Sequence, residues 1–145
     1  MIMISVTSKD AESHIGKLAD RLRNNQSLWN VIGQKLHSNI VRDHFNKEEN
    51  RNGDKWPRWS KNGKTYSSRP WGRGGNQMLR DNGTMRNGIY FKSGGNSADI
   101  VSPVSYSKFH HTGTRKMPKR EFMFIRKDEL ANVVSYMIRE LFRGL

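Results

Sequence analysis

Residues 88–102 read GIYFKSGGNSADIVS. Aromatic and β-branched residues on both sides of the SGGN segment at 93–96 are typical of two strands joined by a tight turn. The pattern therefore predicts an antiparallel hairpin, with one strand over 88–92 and the returning strand over 98–102. Such a hairpin favours an antiparallel sheet, because parallel strands need a long crossover between them.

Helical patterns lie on both sides of this hairpin. Apolar residues recur at helical spacing over three segments, and each segment follows a residue that can cap a helix. The three are a helix that starts near Ser8 or Asp10 and ends at Asn24, a helix over 27–45, and a C-terminal amphipathic helix capped by Asp128. In the second helix, Trp29 and Phe45 are predicted core residues because they share its apolar spacing.

Shorter elements complete the prediction. They are a strand over 1–7, helical segments over 78–80 and 84–86, a helical turn over 106–111 ended by Gly113, and a strand over 122–126. Hairpin strands with helices at both ends predict the α+β class, with an antiparallel β-sheet packed against helices. The length of 145 residues and 34% apolar content predict a single domain over 1–145. No apolar run is long enough to span a membrane.

The segment over 46–76, here called the arm, lacks periodicity and is predicted to be an extended loop within the domain. It contains three of the four tryptophans, Trp56, Trp59 and Trp71. A solvated linker would not carry three tryptophans, since indole rings favour burial or a partner. Residues 46–86 also carry a net charge of +6, out of +13 for the chain. We therefore expect the arm to fold back on the domain or to dock on another molecule.

Catalytic and metal-binding patterns are not found in the sequence. The chain has no cysteine, which excludes thiolate zinc sites and a cysteine nucleophile. His110 and His111 are adjacent, so their side chains point apart and do not easily chelate one metal. The GxSxG and phosphate-loop motifs do not occur. We therefore expect no enzyme activity, no metal and no cofactor.

Four short motifs follow one another in a distinctive order. After Phe45 come NGDKWPRWS at 52–60, MLRDNGTMRNGI at 78–89, YSKFHHTG at 106–113 and MPKREFM at 117–123. This order resembles the phage virion morphogenesis (tail completion) family of tailed bacteriophages, over roughly residues 36–125. The sequence departs from the family pattern at Met85 (usually Leu), Gly88 (usually Ser) and Ser107 (usually Ala), and it lacks a Pro-Asp-Gly before Trp56.

The resemblance implies a structural virion protein without catalysis. Proteins of this family resemble head–tail joining, neck or tail-terminator proteins, which assemble as rings, commonly hexamers, at the head-proximal end of the tail. The implied partners are further copies of the chain, tail-tube or neck (connector) proteins and DNA in transit, with no membrane. The protein would be made in the host cytoplasm and incorporated into the virion.

Two sets of candidate site residues follow from these observations. The interface candidates are Trp56, Trp59, Trp71, Arg80, Tyr106 and Arg120, and the candidates for cations that line a DNA passage are Arg58, Lys61, Lys64, Arg69 and Arg73. We expect Trp56 and Trp59 to anchor the arm against the sheet or a neighbouring subunit, and Arg120 to bridge to an acidic group on that subunit. Tyr106 and His110 are expected to pack towards the core.

Two alternatives remain open. A basic nucleic-acid-binding module is suggested by cations interleaved with aromatic residues in the arm, because the rings can stack on bases while the cations hold phosphates. A small metal-dependent nuclease that uses His110 and His111 is a weaker alternative. DNA affinity at moderate salt, and cleavage that both histidines would support, distinguish these alternatives from a virion protein.

Overall fold

The structure, a computed structural model, describes residues 8–23, 25–61, 64–66 and 77–143. The helices over these residues are α1 (Ser8–Arg23), α2 (Gln26–Ser38), α3 (Phe45–Lys47), α4 (Thr84–Asn87), α5 (Ser107–Thr112) and α6 (Lys127–Leu141), with a π-helical stretch over Asn39–His44. The strands are β1 (Trp59–Lys61), β2 (Lys64–Tyr66), β3 (Tyr90–Ser93) and β4 (Ala98–Val101). The fold is α+β, as the sequence predicts.

A continuous helical rod from Gln26 to Lys47 forms the centre of the fold. It begins where the Asn25 side chain accepts a hydrogen bond from the Leu28 backbone N–H at 2.9 Å. Buried residues follow every four positions, at Leu28, Ile32, Leu36 and Ile40. The π-helical stretch adds a residue to the turn. Both His44 and Phe45 then lie in the interior with no exposed surface.

The predicted hairpin packs on this rod. Strands β3 and β4 pair antiparallel, with Tyr90 opposite Val101 and Ser93 opposite Ala98, and both strands contact α2. Gly33 allows the close approach, because a Cβ at that position would lie 2.6 Å from Cδ2 of Phe91. The absence of a side chain at Gly33 therefore lets the hairpin lie close against α2.

Two groups of buried apolar residues make up the core. One surrounds the C-terminal half of the rod and consists of Ile40, Phe45, Trp56, Met78, Leu79, Met85, Ile89 and Phe122. The other lies between α2 and α6 and consists of Leu28, Ile32, Leu36 and Val133. Ile100 of β4 packs against both groups and so connects them.

The predicted strand over 122–126 is wrong. Burial does alternate along this segment, since Phe122 and Phe124 are buried while Ile125 is exposed. However, none of the described strands pairs with it, and loops and side chains provide its hydrogen bonds. The His44 ring, for example, donates through Nδ1 to the Phe122 carbonyl at 3.0 Å. Alternating burial therefore reports an extended segment with one buried side, and it does not by itself show a strand in a sheet.

Other boundaries also differ from the prediction. Helix α6 begins at Lys127 after Arg126 as its N-cap, and Glu129, not Asp128, completes the capping box by accepting the Arg126 N–H at 2.8 Å. Residues 78–80 form a turn and no helix, since Leu79 has a φ of 58°. The arm contains the end of the rod and the β1–β2 hairpin. The predicted strand over 1–7 lies outside the described residues.

Candidate assembly interface

Trp56 fixes the arm to the body of the protein. Its indole is 2% exposed and meets the Phe45 ring edge-on at a centroid distance of 5.8 Å. The indole N–H donates to the Glu121 carbonyl at 2.8 Å. Trp56 therefore anchors the arm as predicted, but on the rod and the 121–122 segment. Trp56 is a core residue, so the prediction that it belongs to an interface is wrong.

Glu48 joins both ends of the arm. It follows the last turn of the rod with a φ of 52° and is buried. One carboxylate oxygen accepts the Met78 N–H at 2.6 Å, and the other accepts from the Arg58 guanidinium at 2.8 Å. Its carbonyl accepts the Trp56 N–H at 2.7 Å. We call this arrangement the Glu48 clamp, since it holds residues 56–58 next to residue 78.

Sequence reasoning missed Glu48, although a signal was available. A helix C-terminus carries partial negative charge and favours Lys or Arg, so two acids at the end of a long helix are unfavourable unless something holds them. Glu48 and Glu49 occupy this position. Glu49 pairs with Lys55 at 2.9 Å, and this hydrogen bond, together with nearby cations, outweighs desolvation and lowers its pKa.

Arg120 lies in the interior under the arm. The residue is 1% exposed, and its Nε donates to the Pro57 carbonyl at 2.9 Å. Its guanidinium stacks on the Trp59 ring, 4.5 Å from the centroid. Burial lowers the pKa of Arg120 from its ordinary value. The predicted bridge from Arg120 to a neighbouring subunit is therefore wrong, because its side chain supports Trp59 from within the same copy.

Three other interface candidates meet around one cleft of about 430 Å³. Trp59 after the clamp, Arg80 after the Leu79 turn and Tyr106 before α5 all line it. The remaining apolar lining comes from Leu79, Met85 and Met117. These three candidates come from three motifs that are far apart in the sequence, and the fold brings their side chains together at one cleft.

Hydrogen bonds hold Arg80 in the cleft, and the rim of the cleft is exposed at Tyr106. Arg80 donates to the side-chain oxygens of Gln77 and Asn46, and desolvation together with the charge of Arg86 lowers its pKa. Tyr106 is 43% exposed on the rim, so the expectation that it packs towards the core is wrong. His110 is half-buried beside it, with ring centroids 6.1 Å apart. Trp, Tyr and Arg are the residue types that dominate the energetics of protein interfaces.

Comparison with protein-family models gives a match to the phage virion morphogenesis family over residues 6–142. The chain belongs to the phage virion morphogenesis family. The match extends beyond the region of the four sequence motifs to include α1 and α6. The same chain matches no curated protein and no solved structure. Its role is accordingly in phage virion assembly.

In this phage virion morphogenesis protein, the predicted DNA-facing cations do not share one environment. Arg58 forms an ion pair with Glu48 in the clamp. Lys61 and Lys64 are exposed and lie opposite each other in the β1–β2 register. Trp71, Arg69 and Arg73 lie outside the described residues. The described cations therefore divide into one structural residue and one exposed pair.

His111 in the motif region serves the fold. Nδ1 of His111 accepts the backbone N–H groups of Phe122 and Met123, each at 3.4 Å. Burial, against the opposing charge of Glu121, lowers the pKa of His111, which favours the neutral ring that can accept these bonds. Among the described residues, no group of three His, Cys, Asp or Glu side chains is arranged to hold a metal ion. None of the helices in the described ranges is long and apolar enough to cross a membrane.

His44 is a further buried polar residue, and it links the rod to α6. Its Nδ1 donates to the Phe122 carbonyl, while Nε2 lies 3.0 Å from a carboxylate oxygen of Glu129. The ring stacks on Phe124 at a centroid distance of 4.0 Å. The same carboxylate caps α6 through the Arg126 N–H. His44 and Glu129 thus set the position at which α6 begins.

Proposed function

We propose that this protein is a tail completion or head–tail joining (neck) protein, which forms a ring, a hexamer by the resemblance to its family, at the head-proximal end of the tail. The observation that carries the proposal is the cleft, which Trp59, Arg80 and Tyr106 line and whose rim is exposed at Tyr106. Family membership supplies the context of virion assembly. The partners we propose are further copies of the chain and tail-tube or connector proteins.

The way in which the polar interior is used supports a structural role. General acid–base catalysis requires titratable side chains that face the substrate and can exchange protons with it. Here Glu48, Arg120 and His44 each face a backbone group, and their other contacts are to Arg58, Trp59 and Glu129. They fix the arm, the 118–126 segment and α6 relative to the rod. This is the rigid framework on which an assembly surface depends.

A basic nucleic-acid-binding module is the second candidate. The net charge of +13 and the exposed Lys61–Lys64 pair favour it. A protein that makes about six to ten phosphate contacts loses about 10³ to 10⁵ in affinity between 50 and 200 mM salt. DNA binding with that salt dependence would support the module. Weak binding that shows little dependence on sequence or length would favour a ring through which DNA only passes.

Electron microscopy of a lysate in which this gene alone is disrupted tests the proposal. We expect full heads beside separate tails of normal length, because a joining protein acts after both are built. Abnormally long tails would move the role to termination of tail growth. Intact infectious virions would contradict the proposal and favour the nucleic-acid module.

A further inference from the structure

Helix α6 has an apolar face that the described fold does not cover. Leu130, Val134, Ile138 and Phe142 recur at every fourth position and are 44–55% exposed. We call this row the ridge. An adjoining side of α6, which carries Val133, packs on the rod. The helix is therefore apolar on two sides, although only one is used within the copy.

The area of the ridge is close to what a specific contact needs. With Ile125, which is 47% exposed just before α6, five half-exposed apolar side chains lie along this helix. They expose roughly 350 Å² of apolar surface, taking large side chains at about 150 Å² each. Interfaces are about 57% apolar, so a contact centred on the ridge covers roughly 600 Å² per partner. That is near the lower limit of specific interfaces.

The ridge and the cleft have complementary shapes. The ridge is convex, whereas the cleft is a concavity of about 430 Å³ lined by Trp59, Tyr106 and Met117. Because α6 is packed on the rod of its own copy, only the ridge side chains can enter the cleft of another. A cavity of about 150 Å³ already holds benzene, so the cleft has room for the side chains of Ile138 and Phe142.

We propose that the ridge of one copy seats in the cleft of a second copy of this chain. This inference rests on the proposed ring, since a closed ring needs two different surfaces on each copy that fit each other. A contact between two ridges would join two convex surfaces and leave the cleft uncovered. Copies that each carry a net charge of +13 also repel one another, so their contact must be held mainly by apolar surface.

Disulfide cross-linking tests the contact directly, because the chain contains no cysteine. The full chain is prepared with Tyr106→Cys in the cleft, with Ile138→Cys on the ridge, and with both. After mild oxidation, the double variant should give a ladder of dimers, trimers and larger species on a non-reducing denaturing gel. Each single variant should run as a monomer on the same gel, since its cysteine faces a surface that carries no second cysteine. The highest rung of the ladder gives the number of copies in the ring.

The matched control pairs Tyr106→Cys with Asn132→Cys, which is exposed on α6 but lies off the ridge. It should give no ladder. A dimer from Ile138→Cys alone would overturn the proposal in favour of a two-fold contact between ridges. Loss of the particle mass by the reduced double variant would show that these two positions hold the copies together. Should that variant keep the particle mass under reducing conditions and yet give no ladder, the proposal is wrong. The particle mass of the unmodified protein then shows whether a ring exists through other surfaces, which separates this failure from failure of the proposed function.

Discussion

The Glu48 clamp and the ridge of α6 distribute polar and apolar groups in opposite ways. The clamp region buries Glu48, and next to it Arg120, beneath a basic arm. The ridge leaves apolar side chains half-exposed on a helix that ends at the surface. Burying charge costs free energy unless every partner is present, and exposing apolar surface costs free energy unless a partner covers it. Most of the first cost is met within one copy, although Nη1 of Arg120 has no hydrogen-bond partner among the described residues, whereas the second requires another molecule.

This difference separates residues that set the fold from residues available for assembly. Trp56 and Arg120 belong to the first class despite having interface-type side chains, because they are buried within the copy. Trp59, Tyr106 and the ridge belong to the second, because partners can reach them. Four variants test this division, and they are given in the order of their expected effect on stability.

Trp56→Ala should have the largest effect. Replacing a buried tryptophan with alanine typically costs about 3–5 kcal/mol, because transfer free energy is lost and a cavity is left. The loss is measured as a lower urea midpoint of unfolding. Trp59→Ala is the matched control and should cost clearly less, since that ring is only half-buried. Equal losses at both positions would remove the distinction between the two tryptophans.

Glu48→Ala should cost about 1–3 kcal/mol, because the buried Met78 N–H loses its acceptor and Arg58 loses its ion pair. The urea midpoint reports the change. Glu49→Ala is the neighbouring control, and we expect it to leave the midpoint nearly unchanged. If the two variants unfold alike, Glu48 is not the residue that joins the ends of the arm.

The pH dependence of stability should report His111. Its pKa in the folded protein is below the ordinary value of 6.5, so the unfolded chain binds the proton more readily. Its contribution is therefore complete above about pH 6.5 and is lost as the pH falls through the folded pKa. We expect the urea midpoint to decrease between about pH 7.5 and 5.5, and His111→Gln to reduce that decrease. An unchanged pH profile in the variant would contradict the role of His111 as a backbone acceptor.

Ile138→Ser on the ridge should have the smallest effect on the stability of a single copy, within about 0.5–1 kcal/mol, because half of the side chain is already in water. Association is expected to be lost, and the particle mass in solution measures it. Asn132→Ser serves as the control on the same helix. A variant that keeps the wild-type particle mass would show that the ridge is not an interaction surface.

Much of the fold follows from local patterns in the sequence. Helical spacing predicts the helical course from α2 to Phe45, and the SGGN turn predicts the β3–β4 hairpin. These features depend on neighbours within a few residues. The segment over 122–126 was wrongly predicted because alternation reports burial on one side and cannot report whether another strand lies alongside.

The candidate site was predictable only in part. The sequence identifies Trp59, Arg80 and Tyr106 as interface candidates, but their meeting at one cleft depends on the Leu79 turn and on the clamp. Arg120 contacts carbonyls more than sixty positions away, and no local pattern reports such a partner. The exposure of the ridge could not be predicted from the sequence for a different reason. A stripe of apolar residues on α6 predicts a packed face, and the second exposed row becomes visible only once the first is filled.

The most direct test of this division between fold and assembly is complementation of a phage in which the gene is disrupted. The disrupted phage is supplied with the Ile138→Ser protein or with the Asn132→Ser protein, and lysates are examined by electron microscopy. We predict that the ridge variant accumulates as a folded protein yet leaves full heads beside separate tails, while the control restores joined virions. Wild-type numbers of infectious virions from the ridge variant would contradict the account.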